Sequence, residues 1–184
     1  MNPLVALADE VGTSERTLRR AISEGTLHGE RSSPRKLKVP VSEREYVRGH
    51  WGLLAQLREA LRTEPNVRFA LLFGSAARGD DTAVSDVDLL VEMRDDSYTR
   101  LLDLALKLEP LLGREVQLLT FEEARSNPLL LADAAREGRM IVDREGRWPK
   151  FSSERSALER QARADFRSQK RRALAGIERL LTGS

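Results

Sequence analysis

Apolar residues recur along this chain with two periods, about 3.6 and 2, and these divide it into a helical front, a mixed middle and a helical end. Leu4, Leu7, Ala8 and Val11 fall at i, i+3, i+4 and i+7, one face of a first helix that Asn2 can cap and Pro3 can open. Gly12 stops that helix, and Thr13 or Ser14 starts a second whose inner face is Leu18, Ala21 and Ile22 and whose end is Gly25. Leu27 to Arg31 and Lys36 to Val39 read as two short strands around the turn-rich Ser32-Ser33-Pro34-Arg35. A connector helix follows over 43–62, with Val47, Trp51, Leu54, Leu57 and Leu61 as its buried stripe, until Thr63-Glu64-Pro65-Asn66 breaks it.

The middle changes period. Val67 to Phe73 is a short apolar run of strand type, and Ser85 to Val91 alternates, with Asp86 and Asp88 on one face and Val87 and Leu89 on the other. Leu101 to Leu112 predicts an amphipathic helix ended by Gly113, Arg114 to Leu119 a strand, Pro128 to Arg136 a helix and Arg139 to Val142 a last strand. Ser152 to Leu181 predicts one long basic helix, with Leu158, Ala162, Phe166, Leu174, Ile177 and Leu181 as its apolar positions. Trp148 is expected to anchor this tail on the domain, with base stacking as the alternative.

Composition narrows the classes. The 184 residues are 40% hydrophobic, enough for a core, and contain no cysteine and two histidines. Disulfides, thiolate metal sites and a cysteine nucleophile are therefore excluded, and a histidine zinc site nearly so. No apolar run approaches the roughly 18 residues of a membrane span. The opening Met1-Asn2-Pro3-Leu4 lacks the pattern of a secretory leader, so a cytoplasmic protein with no membrane partner is expected. The net charge of +2 hides a segregation: residues 51–143 carry 11 basic and 17 acidic side chains, whereas residues 144–184 carry 11 and 5. Basic ends suit phosphate and an acidic middle suits a cation, although solvated helix faces give the same counts.

In the front segment Arg16, Arg19 and Arg20 share the outer face of the second helix, and Arg31, Arg35, Lys36 and Lys38 decorate the hairpin. Over roughly residues 3–41 the pattern resembles the winged helix-turn-helix domains of bacterial regulators. That resemblance implies DNA binding through Arg16, Arg19, Arg20, Arg35 and Lys36. A protein-docking role for such a module stays open.

The chemistry concentrates between 74 and 88. Gly74-Ser75 sits where a strand turns into a helix, so backbone and hydroxyl can approach a phosphate. Arg78-Gly79 lies one helical turn later, where a guanidinium can reach a triphosphate. Asp86 and Asp88 are ~7 Å apart along one strand face and would repel unless a divalent cation sat between them. All-oxygen ligands suit Mg²⁺ or Mn²⁺.

Gly74-Ser75, Arg78-Gly79, Ser85-Asp86, Asp88 and the hydrophobic run after it resemble the signature of the nucleotidyltransferase superfamily. The resemblance is to minimal nucleotidyltransferases of the polymerase-β type and covers about residues 67–143. It implies a mixed sheet covered by helices on one side, so that with the flanking segments an α+β fold is expected: a small winged helix-turn-helix over 1–42, a connector helix over 43–64, a transferase domain over 65–146 and a basic helical segment over 147–184. It further implies transfer of a nucleoside monophosphate from an NTP, with Asp86 and Asp88 as metal ligands. Gly74, Ser75, Arg78, Gly79 and Ser85 would hold the nucleotide.

Members of the superfamily usually add a third carboxylate from a later strand, where this chain has Gln117. Glu115, two residues earlier on the same face, is the expected substitute; a solvated strand-entry glutamate is the alternative. Minimal nucleotidyltransferases are often antitoxin halves of two-gene systems, so the resemblance implies a toxin partner besides the NTP. The basic end could also meet RNA or DNA backbone, pack on a partner helix, or simply cover the sheet. A nucleotide-sensing DNA-binding regulator with a weakened site is the competing expectation.

Overall fold

The computed structural model describes residues 3–33 and 36–182; Asn2, Pro34 and Arg35 lie outside the described residues. Helices α1 (Pro3–Glu10) and α2 (Glu15–Glu24) lead into a two-stranded antiparallel hairpin, β1 (Glu30–Ser33) and β2 (Lys36–Lys38). Ser14 caps α2 by accepting from the Thr17 amide at 3.1 Å, and Gly25 ends it at φ 85°. Helix α3 (Val41–Arg62) then crosses to the second half of the chain, which consists of β3 (Val67–Phe73), α4 (Gly74–Arg78), β4 (Val87–Met93), α5 (Tyr98–Leu112), β5 (Val116–Thr120), α6 (Phe121–Ala124), α7 (Pro128–Glu137), β6 (Arg139–Asp143), α8 (Trp148–Ser153) and α9 (Arg155–Thr182).

The four later strands form one sheet in the order β5-β4-β3-β6. β3 pairs antiparallel with β4 and β6, whereas β4 and β5 run parallel, so the sheet is mixed. Side chains alternate between two cores. Ala70, Leu72, Leu89, Val91 and Ile141 face Leu54, Leu57 and Leu61 of α3 and Leu104 and Leu108 of α5. Phe69, Leu71, Leu90 and Met140 face Ala124, Leu131, Ala134, Ala135 and Phe151 on the other side. Helices therefore cover both faces, not one, because β3 and β4 are apolar at nearly every position and neither face could be left to water.

One further expectation changes. The long C-terminal helix is preceded by a separate short one: the amide of Glu154 bonds back to the carbonyls of Lys150 and Phe151, closing α8 before α9 begins. Proline at the start of α8 sets its direction, and Phe151 and Trp148 pack into the second core.

The front helices share the first core with the sheet: Leu4, Leu7, Leu18, Ala21 and Leu27 belong to the same cluster as Val67 and Ile141. The joint is polar at its centre. Arg139, at the start of β6, is buried against buried Glu43 of α3, with N–O distances of 2.6 and 3.1 Å. Its Nε donates to the carbonyl of Ala77 at 2.6 Å, and its guanidinium lies 3.2 Å from the centre of the Tyr46 ring. Thr26 donates to the Met140 carbonyl at 2.6 Å, and the Met140 amide donates to the Gly25 carbonyl at 3.0 Å. A Cβ on Gly25 would strike the Trp148 ring at 2.0 Å, so a glycine is required there for closeness as well as for its φ.

Candidate active site

β3 delivers the chain into α4 at Gly74, whose φ of 70° is natural only to glycine. The position opposite Phe73 on β4 is Asp88, and a Cβ on Gly74 would meet Asp88 Oδ2 at 2.3 Å. Glycine here therefore opens the space that the carboxylate occupies. Asp88 is half-buried; burial and the neighbouring Asp86 push its carboxyl above the ordinary carboxylate range, with Arg78 and Arg114 opposing. Two like charges held together, one of them partly desolvated, is an arrangement that a cation would relieve.

On the far side of Asp88, β5 places Gln117 in register. The Gln117 amide nitrogen donates to Asp86 Oδ2 at 2.8 Å. A carboxylate can only accept, which fixes the amide's orientation. Glu115 was expected to supply the third carboxylate, and the geometry does not gather it there. Its side chain is exposed just before β5 begins, while its carbonyl accepts from the Val87 amide at 2.9 Å. Among the described residues, no three His, Asp or Glu side chains form a group able to hold a metal. The reason is distance along the strand: Glu115 sits two residues, ~7 Å, before the position level with Asp88.

The remaining expected nucleotide residues lie around α4. Ser75 is partly buried, and its carbonyl accepts from the amides of Gly79 and Asp80 at 2.9 and 3.3 Å. Gly79, at φ 84°, turns the chain against Tyr46, whose ring a Cβ would meet at 2.9 Å. Arg78 is exposed and donates to Asp80 at 3.1 Å. Ser85 Oγ accepts from the Thr82 amide at 2.9 Å and closes the loop that leads to Asp86.

Sequence reasoning missed a partly buried set that anchors that loop. Arg114 donates to the carbonyls of Ser85 and Asp86 at 2.7 and 3.3 Å and to Asp81 at 2.7 Å. Asp81 also accepts from His50 Nε2 at 2.7 Å. His50 stacks on Tyr46, ring centroids 4.5 Å apart, and Tyr46 donates to the Ala76 carbonyl at 2.9 Å. Burial pushes Asp81 up, but the bonds from His50 and Arg114 bring it below its ordinary value. The only sequence signal was an aspartate pair in a loop, 31 residues from the histidine.

At the front of the molecule, Arg16 is exposed on α2, while Arg19 pairs with Glu15 and Arg20 with Glu24, each at 2.6 Å. Lys36 opens β2, and Arg35 lies outside the described residues.

With this geometry in hand, comparison with known proteins is informative. The family described as "Polymerase beta, Nucleotidyltransferase" matches residues 55–147. The chain belongs to this family. Two relatives from Methanocaldococcus jannaschii carry the names "Putative protein adenylyltransferase MJ1379" and "Putative protein adenylyltransferase MJ0435". The first is 37% identical over 71 residues, covering 37% of this chain and 71% of the relative. The second is 42% identical over 65 residues, covering 35% and 68%. The nucleotidyltransferase fold is shared with a chain in a crystal structure of a toxin–antitoxin with AMP-PNP, at TM-score 0.53 and 22% identity, covering 66% of this chain and 98% of that one. Among the described residues no helix is long and apolar enough to cross a membrane.

Proposed function

We propose that this nucleotidyltransferase moves a nucleoside monophosphate, by preference AMP, from an NTP to an oxygen of a protein acceptor and releases pyrophosphate. The observation that carries this reading is Asp88 set against Gly74, with the like charge of Asp86 near enough to push its carboxyl up. The donor set is all oxygen and suits Mg²⁺ or Mn²⁺, with Asp86 and Asp88 as ligands and substrate phosphates completing the shell. A bound ion would neutralise the triphosphate and make the acceptor oxygen a better nucleophile. The chain's own residues do the rest. Gly74 and Ser75 admit the phosphates, Arg78 exchanges Asp80 for a phosphate oxygen, and Gln117 holds Asp86 in its rotamer. In the reaction the acceptor oxygen forms its bond to the α-phosphorus as the α–β bridging bond breaks, and the pair of electrons leaves on pyrophosphate.

Two relatives named as protein adenylyltransferases support a protein acceptor. The likeness to a toxin–antitoxin with AMP-PNP supports an antitoxin-type member acting on a protein toxin partner. We further read residues 1–42 as a winged helix-turn-helix that binds DNA through Arg16, Arg19, Arg20, Arg35 and Lys36; 43–64 is the connector, 65–146 the transferase domain, and 147–184 the basic end, a candidate for RNA or a partner helix.

Gln117 favours a second reading. Its neutral amide bonds Asp86 where a third carboxylate would accept the acceptor's proton, which suits a nucleotide-binding regulator with slow turnover. One experiment separates the two: transfer of label from α-labelled ATP, CTP, GTP and UTP with Mg²⁺ or Mn²⁺ to the protein itself, to tRNA and to the product of the adjacent gene. The transferase reading requires label that falls at least ~10³-fold in the Asp86→Ala/Asp88→Ala variant, about 4 kcal/mol of transition-state stabilisation. Metal–nucleotide binding without label would establish the regulator instead. Filter retention of operator DNA by Arg16→Ala/Arg20→Ala tests the front module: weaker retention with a flatter salt dependence is expected, and unchanged retention would make it a docking unit.

A further inference from the structure

The loop from Asp80 to Asp86 has no strand partner and carries Thr82, Ala83 and Val84 exposed to solvent. Its far end bears a carboxylate of the site, so something must fix that end. Arg114 does so through backbone: its Nε and Nη2 donate to the carbonyls of Ser85 and Asp86, the two that flank the Asp86 amide and α-carbon. An arginine this close to two site carboxylates has an alternative, which is to turn onto them and occupy their oxygens. It is kept from doing so by Asp81, whose side chain is 6% exposed and whose Oδ2 takes Arg114 Nη1 at 2.7 Å. The other Asp81 oxygen is held by His50, itself pinned by the stack on Tyr46. Asp81 is therefore fully engaged by groups outside the site, on α3 and at the entry to β5.

We propose that Asp81 is a positioning residue for the transfer reaction. Clasped between His50 and Arg114, it holds the Arg114 guanidinium on the Ser85–Asp86 backbone, which orients Asp86 and leaves both Asp86 and Asp88 free for a divalent cation. The inference rests on the reading of Asp86 and Asp88 as the cation site.

The test is a titration of the full chain with Mn²⁺ alone, followed by electron paramagnetic resonance of the free ion. Asp81→Asn, which keeps the shape and releases Arg114, weakens Mn²⁺ binding roughly tenfold, the usual scale for a group that supports a metal ligand. Adding Arg114→Gln to Asp81→Asn removes the competing charge but not the loss of the backbone hold, and so restores part of the affinity; damage to the fold alone would make the double variant worse. His50→Gln moves affinity in the same direction by less and serves where Asp81→Asn fails to fold, folding being checked by circular dichroism. Wild-type affinity in Asp81→Asn, together with loss of binding in Asp86→Ala/Asp88→Ala, would overturn the positioning role and leave the cation site standing. A wild-type chain that takes up no Mn²⁺ would overturn both.

Discussion

Two clusters of charge lie at the same end of the sheet, level with Leu72 and Phe73 of β3, and they are built by opposite rules. At the joint between the front helices and the sheet, Arg139 and Glu43 are buried, opposite in sign and bonded to each other, to backbone carbonyls and to an aromatic face. At the head of β4, Asp86 and Asp88 are alike in sign, and among the described residues the side-chain hydrogen bond to them comes from Gln117. The first cluster is complete and therefore structural. The second is under strain from its own charge, and a fold retains such strain where a ligand is to relieve it. Charge alone does not mark a functional site; charge left short of partners does.

The comparison can be broken from the joint outward. Arg139→Met leaves Glu43 buried without its cation and should lower the unfolding free energy by about 3–5 kcal/mol, with Glu43→Gln in the same chain recovering part of it. Urea unfolding reads both; a loss below about 1 kcal/mol would make the joint as dispensable as a surface pair. Gly74→Ala puts a Cβ on the Asp88 oxygen and a side chain at φ 70°, and should cost about 1–3 kcal/mol while removing metal binding. Melting and Mn²⁺ titration check the two effects separately.

Asp81 supplies a pH test between the clusters. Its folded carboxyl sits below its ordinary value of 3.8, so its contribution is full above that value and is lost as pH falls through the folded one. Wild type should exceed Asp81→Asn by about 1–2 kcal/mol at pH 7, and the gap should narrow as the pH falls below that ordinary value. A gap that persists in acid would assign the effect to packing. The smallest effect has the opposite sign: Asp88→Asn should stabilise the metal-free protein at pH 7 by less than about 1 kcal/mol, since it removes a charge that burial and Asp86 disfavour. Thermal melting in chelator reads it, and destabilisation would mean that Asp88 holds the fold together.

Most of the elements could be read from periodicity and punctuation. The strand over Val67–Phe73 matches to the residue, and Gly12, Gly25 and Gly113 stand at positive φ where helices were expected to stop. The Gly74–Ser75 turn and the Asp86–Asp88 pair were legible too, because both are local: a glycine at a strand end and an alternation of two. The break between α8 and α9 was not, since Ser152 to Glu154 carries no proline or glycine and the helical period runs on through it. Nor was the covering of both sheet faces, which an apolar strand permits without specifying.

The sequence by itself determined most of the segments that are helix and strand, that no cysteine chemistry is available, and which two aspartates share a face. Tertiary structure alone decided who partners them. Gln117 and Asp86 are 31 residues apart, as are His50 and Asp81, and Arg139 and Glu43 are 96 apart. Side chains brought together by strand order and helix packing leave no period in the sequence. For that reason Glu115 could be expected in the site, and the clasp on Asp81 could not.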